Sequence, residues 1–455
     1  MFKKVLVANR GEIAVRVIRA LREMGITSVA VFSEADRDAL HTELADEAIC
    51  IGPAKGLDSY ANPVSILSAA LVTGADAIHP GYGFLSERSD FAALCDEMKI
   101  KFIGPSSDII DNMGNKQNAR TTMRNAGVPI VPGGKQLAFT VEEAHVLADE
   151  IGYPVMVKAA DGGGGKGMRL VYTADELESK FIQAQNETQS IYGNQNLYIE
   201  RTIYPAKHIE VQLLADEHGN VIHLGERDCS LQRNNQKVIE FAPALTISPE
   251  TREKICAAAV QAAKAIGYTN AGTIEFLVDE DENFYFMEMN TRLQVEHPIS
   301  EMITGVDIVK AQIEIAEGKP LVYKQSDIEF NGFAIESRLN AENPYKEFQP
   351  SSGYISRLFL PTGGMGLRVE TGLYSDYTLP PFYDSMVAKI ITHQMEKEEA
   401  FTLMERALYE VVVDGIETNV DLLEALVTHP DVVAGNVHVK WLEEVFMPEW
   451  QEKIE

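Results

Sequence analysis

One stretch, Phe284-Tyr-Phe-Met-Glu-Met-Asn-Thr-Arg-Leu-Gln-Val-Glu-His-Pro298, constrains this chain more than any other. Its first half is apolar and aromatic at both parities, which predicts a strand buried on both faces. Polar groups then recur at every second position: Glu288, Asn290, Arg292, Gln294 and Glu296. Successive strand side chains point to opposite faces, so an extended backbone would put all five on one face. The edge of a buried sheet would then present oxygen ligands, a fixed cation, an amide and a further carboxylate. That set suits a divalent metal holding a polyphosphate beside a small anion. A solvated strand end of mixed charge is the alternative, and the aromatic lead-in and unbroken parity weigh against it. Arg292 and Glu296 would stand roughly 13 Å apart on a fully extended strand. That is too far to touch one small anion, so the strand must bend or stop between them. The turn toward His297-Pro298 is the expected bend.

With 455 residues, 45% hydrophobic and 24% charged, the chain has material for about three domains. No apolar run approaches the roughly 20 residues of a membrane helix. The apolar opening meets Asn9-Arg10 too soon for a signal peptide. Four scattered cysteines without a CxxC pair give neither a zinc site nor a disulfide framework. A cytoplasmic protein with free thiols is expected. The net charge of −28 repels nucleic acid and anionic membranes. Neither is expected as a partner, and any anionic substrate must be met by a local cluster of Lys and Arg.

Residues 1 to about 110 alternate strand and helix: strands at 5–8, 28–32 and 77–79, helical spacing from Ile13 to Met24, a helix at 60–73 and another around Phe91 to Met98. Such alternation predicts a parallel sheet with right-handed crossovers. Glycine and proline near 128–134 mark a boundary. Thr173-Ala-Asp-Glu176 fits a capping box. Residues 208–214 alternate, with His208, Glu210 and Gln212 on one face. Two strands at 273–278 and 283–289 read as a hairpin that would set Glu275 beside Glu288. A carboxylate on an apolar strand is costly unless paired or metal-bound. Without a cation one of the two would stay protonated; with Mg²⁺ both would ionise. From about 330 the chain turns to short strands, then helices around 400–413 and 419–427.

Between strands at 155–158 and 168–171 lies Ala159-Ala-Asp-Gly-Gly-Gly-Gly-Lys-Gly-Met-Arg169. Its GxGxxG match is weak, because a strand and not a helix follows. The Walker A pattern fails too, for glycine follows Gly165-Lys166. A strand–loop–strand flap remains, able to bring backbone N–H groups close to phosphate oxygens, with Lys158 and Lys166 adding charge. A mobile hairpin tip is the plain alternative. Lys116 and Lys237, each taken alone, read as solvated surface lysines.

Asn9-Arg-Gly-Glu12, His79-Pro-Gly-Tyr-Gly-Phe-Leu-Ser-Glu87, the glycine loop, Glu226-Arg-Asp-Cys-Ser230, the 288–298 stretch and Tyr383-Asp-Ser-Met386 together resemble biotin carboxylase, an ATP-grasp enzyme. The match runs in order through nearly the whole chain. The resemblance implies an α/β and α+β fold. It has a Rossmann-like N-terminal domain over 1–115, a linker and glycine-rich lid over 116–204, an ATP-grasp metal and nucleotide domain over 205–330, and a β-rich C-terminal domain over 331–446. It implies ATP- and Mg²⁺- (or Mn²⁺-) dependent carboxylation of biotin by bicarbonate through carboxyphosphate. It also assigns residues. Lys116, Lys158 and His208 would hold nucleotide, with Gly164 and Gly165 over the phosphates and the Glu200, Arg201, Thr202, Ile203 backbone at adenine. Glu275, Glu288 and Asn290 would ligate metal. Lys237, Arg292 and the Val295 N–H would hold bicarbonate, and Glu296 would be its general base. Arg338 would face biotin, with Tyr82 and Gln294 near the ring. Asn235 stands where the family often has His, and Asp161 where it tends to have a small neutral residue. No Ala-Met-Lys-Met acceptor motif is present, so biotin is expected on a separate carrier protein. Carboxyltransferase subunits, a homodimer and a role as the first half-reaction of acetyl-CoA carboxylase in fatty acid synthesis are implied with it. Arg16, Arg19 and Glu23 on the first helix could face a dimer partner or form a surface ion-pair network. Another ATP-grasp ligase making an acyl phosphate, or a non-catalytic nucleotide-binding regulator, are the competing readings.

Overall fold

The computed structural model describes residues 1–160 and 167–452. Five strands, Glu47–Gly52, Thr27–Ser33, Lys4–Val7, Ala77–His79 and Lys101–Phe102, lie side by side in that order, every pair parallel. Parallel neighbours need crossovers, and helices Gly11–Glu23, Pro63–Thr73 and Ser89–Glu97 supply three of them. Pro63 stands in the first turn, and Asn62 caps it by accepting from the amides of residues 64 and 65. Strand order reverses between Lys4–Val7 and Ala77–His79. The loops leaving those two strands therefore splay apart, which is where open α/β sheets bind ligands. They are stitched together: Asn9 Nδ2 donates to the carbonyls of Pro80 and Tyr82, both at 2.7 Å. Gly81, at φ +62, is needed here, because a Cβ would sit 2.8 Å from that same nitrogen.

The central element is an eight-stranded antiparallel sheet. Its order is Phe284–Asn290, Asn270–Val278, Lys207–Ala215, Val221–Arg233, Gln236–Ala242, Phe333–Asn340, Met386–Gln394, Leu367–Thr371. It runs across residue 330 without a break. Helix Pro249–Ala265 covers the face carrying Ile209, Val211, Leu213, Ile274 and Phe276. At the same end of the sheet, Leu214 and Ala271 share a core with helices Ile308–Ala316 and Gly11–Glu23, so the N-terminal unit and the sheet share one apolar interior. A separate four-stranded antiparallel sheet, Gly133–Ala138, Leu197–Arg201, Val155–Ala159, Arg169–Val171, forms the lid. The glycine flap thus joins two paired strands, but its residues Asp161, Gly164, Gly165 and Lys166 lie outside the described ones.

Two expectations fail. The strand Phe284–Asn290 is not buried on both faces: it is the sheet's edge, and Met287 and Glu288 are exposed. A bulge opposite Glu275 and Phe276 lets one residue of this strand out of register, so its aromatic content does not track burial. Thr173 makes no capping bond, and Glu176 instead accepts from the Tyr172 amide at 3.1 Å. A complete capping box stands instead at Thr140 and Glu143, opening helix Val141–Ile151. No described helix is long and apolar enough to cross a membrane.

Candidate active site

The expected hairpin forms, and Glu275 pairs directly with Glu288 across it. Glu275 is also opposite Glu210, so three carboxylates sit abreast on adjacent strands. The strand then stops at Asn290, not at the His297-Pro298 turn. Arg292, Gln294, Val295 and Glu296 follow in a tight irregular turn, and Glu296 takes the N-cap position of helix His297–Thr304. The alternation of polar residues therefore does not mean one extended face. It is the turn that folds Arg292 and Glu296 back toward one centre.

Around that turn opens a cavity of about 890 Å³. Tyr82, Lys116, Lys158, Glu200, His208, Lys237, Glu275, Glu288, Asn290, Arg292, Gln294, Val295 and Arg338 all line it. They come from the N-terminal unit, the lid and both halves of the large sheet. Arg201, Thr202 and Ile203 are not among the lining residues. Their backbone is partly committed: the amides of Arg201 and Thr202 donate to the carbonyls of Pro132 and Pro154 at 2.9 and 3.1 Å. The Ile203 amide makes no bond among the described residues.

Lys237 is the hub. Its ammonium donates to Glu210 at 2.6 Å, Glu275 at 3.1 Å and Glu296 at 2.5 Å. Far from a solvated lysine, it is almost enclosed; burial opposes its charge, and Glu210, Glu275 and Glu296 overcome that and push its pKa well up. Glu275 also accepts from Asn290 at 2.9 Å and Gln294 at 3.3 Å, and lies 3.2 Å from His208 Nε2. Burial alone would push the Glu275 carboxyl up, but Lys237 and His208 hold it low. Glu288 answers in the other direction. The charge of Glu275 raises it, the surrounding cavity walls add although the side chain itself is exposed to the cavity, and Lys116 only partly offsets them. Glu288 makes no hydrogen bond among the described residues and faces the cavity. An ionised carboxylate beside an unsatisfied one, with the Asn290 amide next to them, fits a divalent cation.

Glu296 is fully buried. One oxygen accepts from Lys237, and the other accepts from Arg338 Nη2 at 2.8 Å. Burial raises it, but Lys237, Arg338 and Arg227 hold it well below the usual carboxylate range. It is therefore held as a carboxylate, with both oxygens occupied by cationic donors. Arg338 is fixed from behind by Glu240, which accepts from its Nε at 2.5 Å. Arg292 is held by Glu87 at 3.0 Å, Asn290 at 3.0 Å and Gln294 at 3.1 Å. At the lid end, Lys158 lies 2.7 Å from Glu200, which also pairs with Arg120. Tyr82 donates to Glu12.

Glu87, Arg120, Glu210, Arg227 and Glu240 escaped the sequence reading as site residues. The signal that singled out Glu275, a carboxylate inside an apolar strand, also marks Glu240 in Val238-Ile-Glu-Phe-Ala242. Asn235 also finds its explanation here. With Asn234 it forms the two-residue turn between Val221–Arg233 and Gln236–Ala242, at φ +50 and +63. Positive φ at both central residues is what such a hairpin requires and what Asn tolerates.

Three families match the chain: "Biotin carboxylase, N-terminal domain" over residues 1–110, "Carbamoyl-phosphate synthase L chain, ATP binding domain" over 115–324, and "Biotin carboxylase C-terminal domain" over 336–444. Biotin carboxylase 1 of Bacillus subtilis (strain 168) is 55% identical over 444 residues, 97% of this chain and 98% of the relative. The crystal structure of the Campylobacter jejuni biotin carboxylase β-γ-ATP complex superposes with a TM-score of 0.93 at 46% identity, covering 97% of this chain and 99% of that one. The biotin carboxylase domain dimer of Hydrogenobacter thermophilus 2-oxoglutarate carboxylase, in complex with MgADP, ADP and bicarbonate, superposes with a TM-score of 0.92 at 51% identity, covering 98% of each chain.

Proposed function

Since the chain belongs to the biotin carboxylase family of ATP-dependent ligases, we propose that its cavity is where ATP and bicarbonate react and where biotin receives the carboxyl group. The observation that carries this is the arrangement around Glu296: a fully buried carboxylate held by Lys237 and Arg338, and joined through the same Lys237 to Glu275 of the Glu275–Glu288 pair. Bicarbonate is a poor nucleophile. Lys237, Arg292 and the Val295 amide would hold it in line with the γ-phosphate, while Glu296 takes its proton. Glu275, Glu288 and Asn290 would hold Mg²⁺ or Mn²⁺, which neutralises phosphate charge during transfer. Lys116, Lys158 and His208 would bind the nucleotide, with adenine at the Glu200–Ile203 segment and the glycine flap over the phosphates. The carboxyl group of carboxyphosphate would then pass to N1 of biotin, the C–O bond to phosphate breaking and the released inorganic phosphate taking the N1 proton. Arg338 would steady the charge that develops on the ureido oxygen, with Tyr82 and Gln294 beside the ring.

A phosphate-release assay tests this. ATP hydrolysis should depend on bicarbonate and rise further with free biotin. Glu296→Gln should lower turnover by about 10²–10⁴-fold while nucleotide still binds. Bicarbonate-independent hydrolysis, or an active Glu296→Gln variant, would refute the assignment and favour an acyl-phosphate ligase or a regulator.

The same reading extends to the assembly. A biotin carrier protein would supply the acceptor and carboxyltransferase subunits would use the product. The assembly proposed is an acetyl-CoA carboxylase of fatty acid synthesis; the Bacillus relative is named biotin carboxylase 1 without an acyl acceptor, and the Hydrogenobacter structure belongs to a 2-oxoglutarate carboxylase. Reconstitution with separate carriers and transferases, fed acetyl-CoA, pyruvate or 2-oxoglutarate, decides among them. The dimer of the Hydrogenobacter domain supports a homodimer here. Arg16 would not reach a partner freely, being buried against Glu301 and Asp307, whereas Arg19 stays half exposed and Glu23 pairs with Lys310.

A further inference from the structure

We propose that Lys389 is a positioning residue for the turn that carries Val295 and Glu296, and that through Glu12 it ties this turn to the loop carrying Tyr82. The inference rests on the reading of the Val295 amide as a bicarbonate ligand and of Glu296 as the base.

Lys389 lies in mid-strand, opposite Arg338 on one neighbour and Glu370 on the other. Its side chain is wholly buried. A lysine is seldom enclosed so completely, and a buried ammonium is costly unless paired and hydrogen-bonded. The adjacent carboxylate on its own face, Glu370, is not its partner; Glu370 accepts from Arg368 at 2.7 Å. Lys389 reaches the other way, donating to the Val295 carbonyl at 2.8 Å. Its ammonium also lies 3.2 Å from Glu12. The other oxygen of Glu12 accepts from the Tyr82 hydroxyl. Four groups thus stand in series: Tyr82 hydroxyl, Glu12 carboxylate, Lys389 ammonium, Val295 carbonyl.

Peptide planarity turns this contact into an orienting one. The carbonyl of Val295 shares a plane with the amide of Glu296, so Lys389 fixes the link between the bicarbonate ligand and the base. The plane before it, joining Gln294 to Val295, is fixed by His297, whose Nδ1 bonds the Gln294 carbonyl at 2.8 Å. Both planes flanking Val295 are therefore pinned from the side away from the cavity. Glu12 is itself well anchored. It follows Gly11, which has φ +65, and the backbone of Gly372 approaches so closely that a Cβ there would lie 3.2 Å from Gly11. An interior member of the series thus has a fixed backbone, as a device that transmits position needs.

Lys389→Met keeps most of the stem and removes the ammonium. In the bicarbonate-dependent ATPase assay it should raise KM for bicarbonate about tenfold or more while KM for ATP stays within about twofold. Glu12→Gln should give the same split at smaller size, and serves if the lysine variant does not fold. Tyr82→Phe combined with Lys389→Met should cost less than the sum of the two in log kcat/KM for bicarbonate, as expected of groups acting in one series. Unchanged KM for bicarbonate in both Lys389→Met and Glu12→Gln, whatever the loss in Tm, would reduce Lys389 to packing and overturn the inference alone. Parent protein without bicarbonate-dependent hydrolysis would overturn the reading beneath it, and the inference with it.

Discussion

Glu288 and Glu275 are one strand apart and have opposite electrostatic lives. Glu275 is neutralised in advance by Lys237 and His208, whereas Lys116 and His208 only partly offset the repulsion that Glu288 meets from Glu275. Glu288 is therefore the residue that most needs a cation. Glu288→Gln should raise the Mg²⁺ concentration for half-maximal activity about tenfold or more. The Tm measured without Mg²⁺ should hold or rise, since a like-charge contact is gone. A lowered Tm with unchanged Mg²⁺ dependence would make it structural. At this scale a buried carboxylate interrupting an apolar strand was legible at Glu275, while the same mark at Glu240 went unread. Lys237 was not legible, because nothing around Gln236-Lys237-Val238 distinguishes a lysine with three carboxylate partners from a solvated one.

The two lid helices differ in how they begin. Val141–Ile151 has a complete capping box, and Ala174–Tyr192 has a Thr at its N-cap that makes no side-chain bond. Thr140→Ala should cost about 1 kcal/mol and speed amide exchange in its helix. Thr173→Ala should leave exchange in the other helix unchanged within a few tenths of a kcal/mol. Hydrogen exchange by mass spectrometry on both variants measures the contrast. The four-letter pattern was the same kind of signal in both places. Cap geometry depends on how the preceding strand delivers the chain, which spacing does not carry. The strand Phe284–Asn290 teaches the same lesson: its aromatic content predicted a buried centre, and its place at the sheet edge exposed Met287 and Glu288.

Across the whole molecule, buried histidines make stability depend on pH on the acid side. Burial pushes His41 and His79 down to about 4, against about 6.5 in the unfolded chain. Between those values the unfolded state binds more protons, so stability rises with pH. It is complete above about 6.5 and is lost as pH falls toward 4, by about 1.4 kcal/mol per pH unit for each histidine. The Tm should fall between pH 7 and pH 5, and fall less in His41→Gln. An equal fall would place the lability elsewhere. The alternation of strand and helix in the first hundred residues, the hairpin at Glu275 and Glu288, and the concentration of polar side chains in the 288–296 stretch were all present in the sequence alone. They depend on periods and turns a few residues long. Only the tertiary structure decided that Lys237 meets Glu210, Glu275 and Glu296, that the strand stops at Asn290, and that Lys389 reaches the Val295 carbonyl. These depend on which strands become neighbours in the large sheet, and that order is chosen by burying apolar faces between elements far apart in the chain, a choice that local spacing cannot encode.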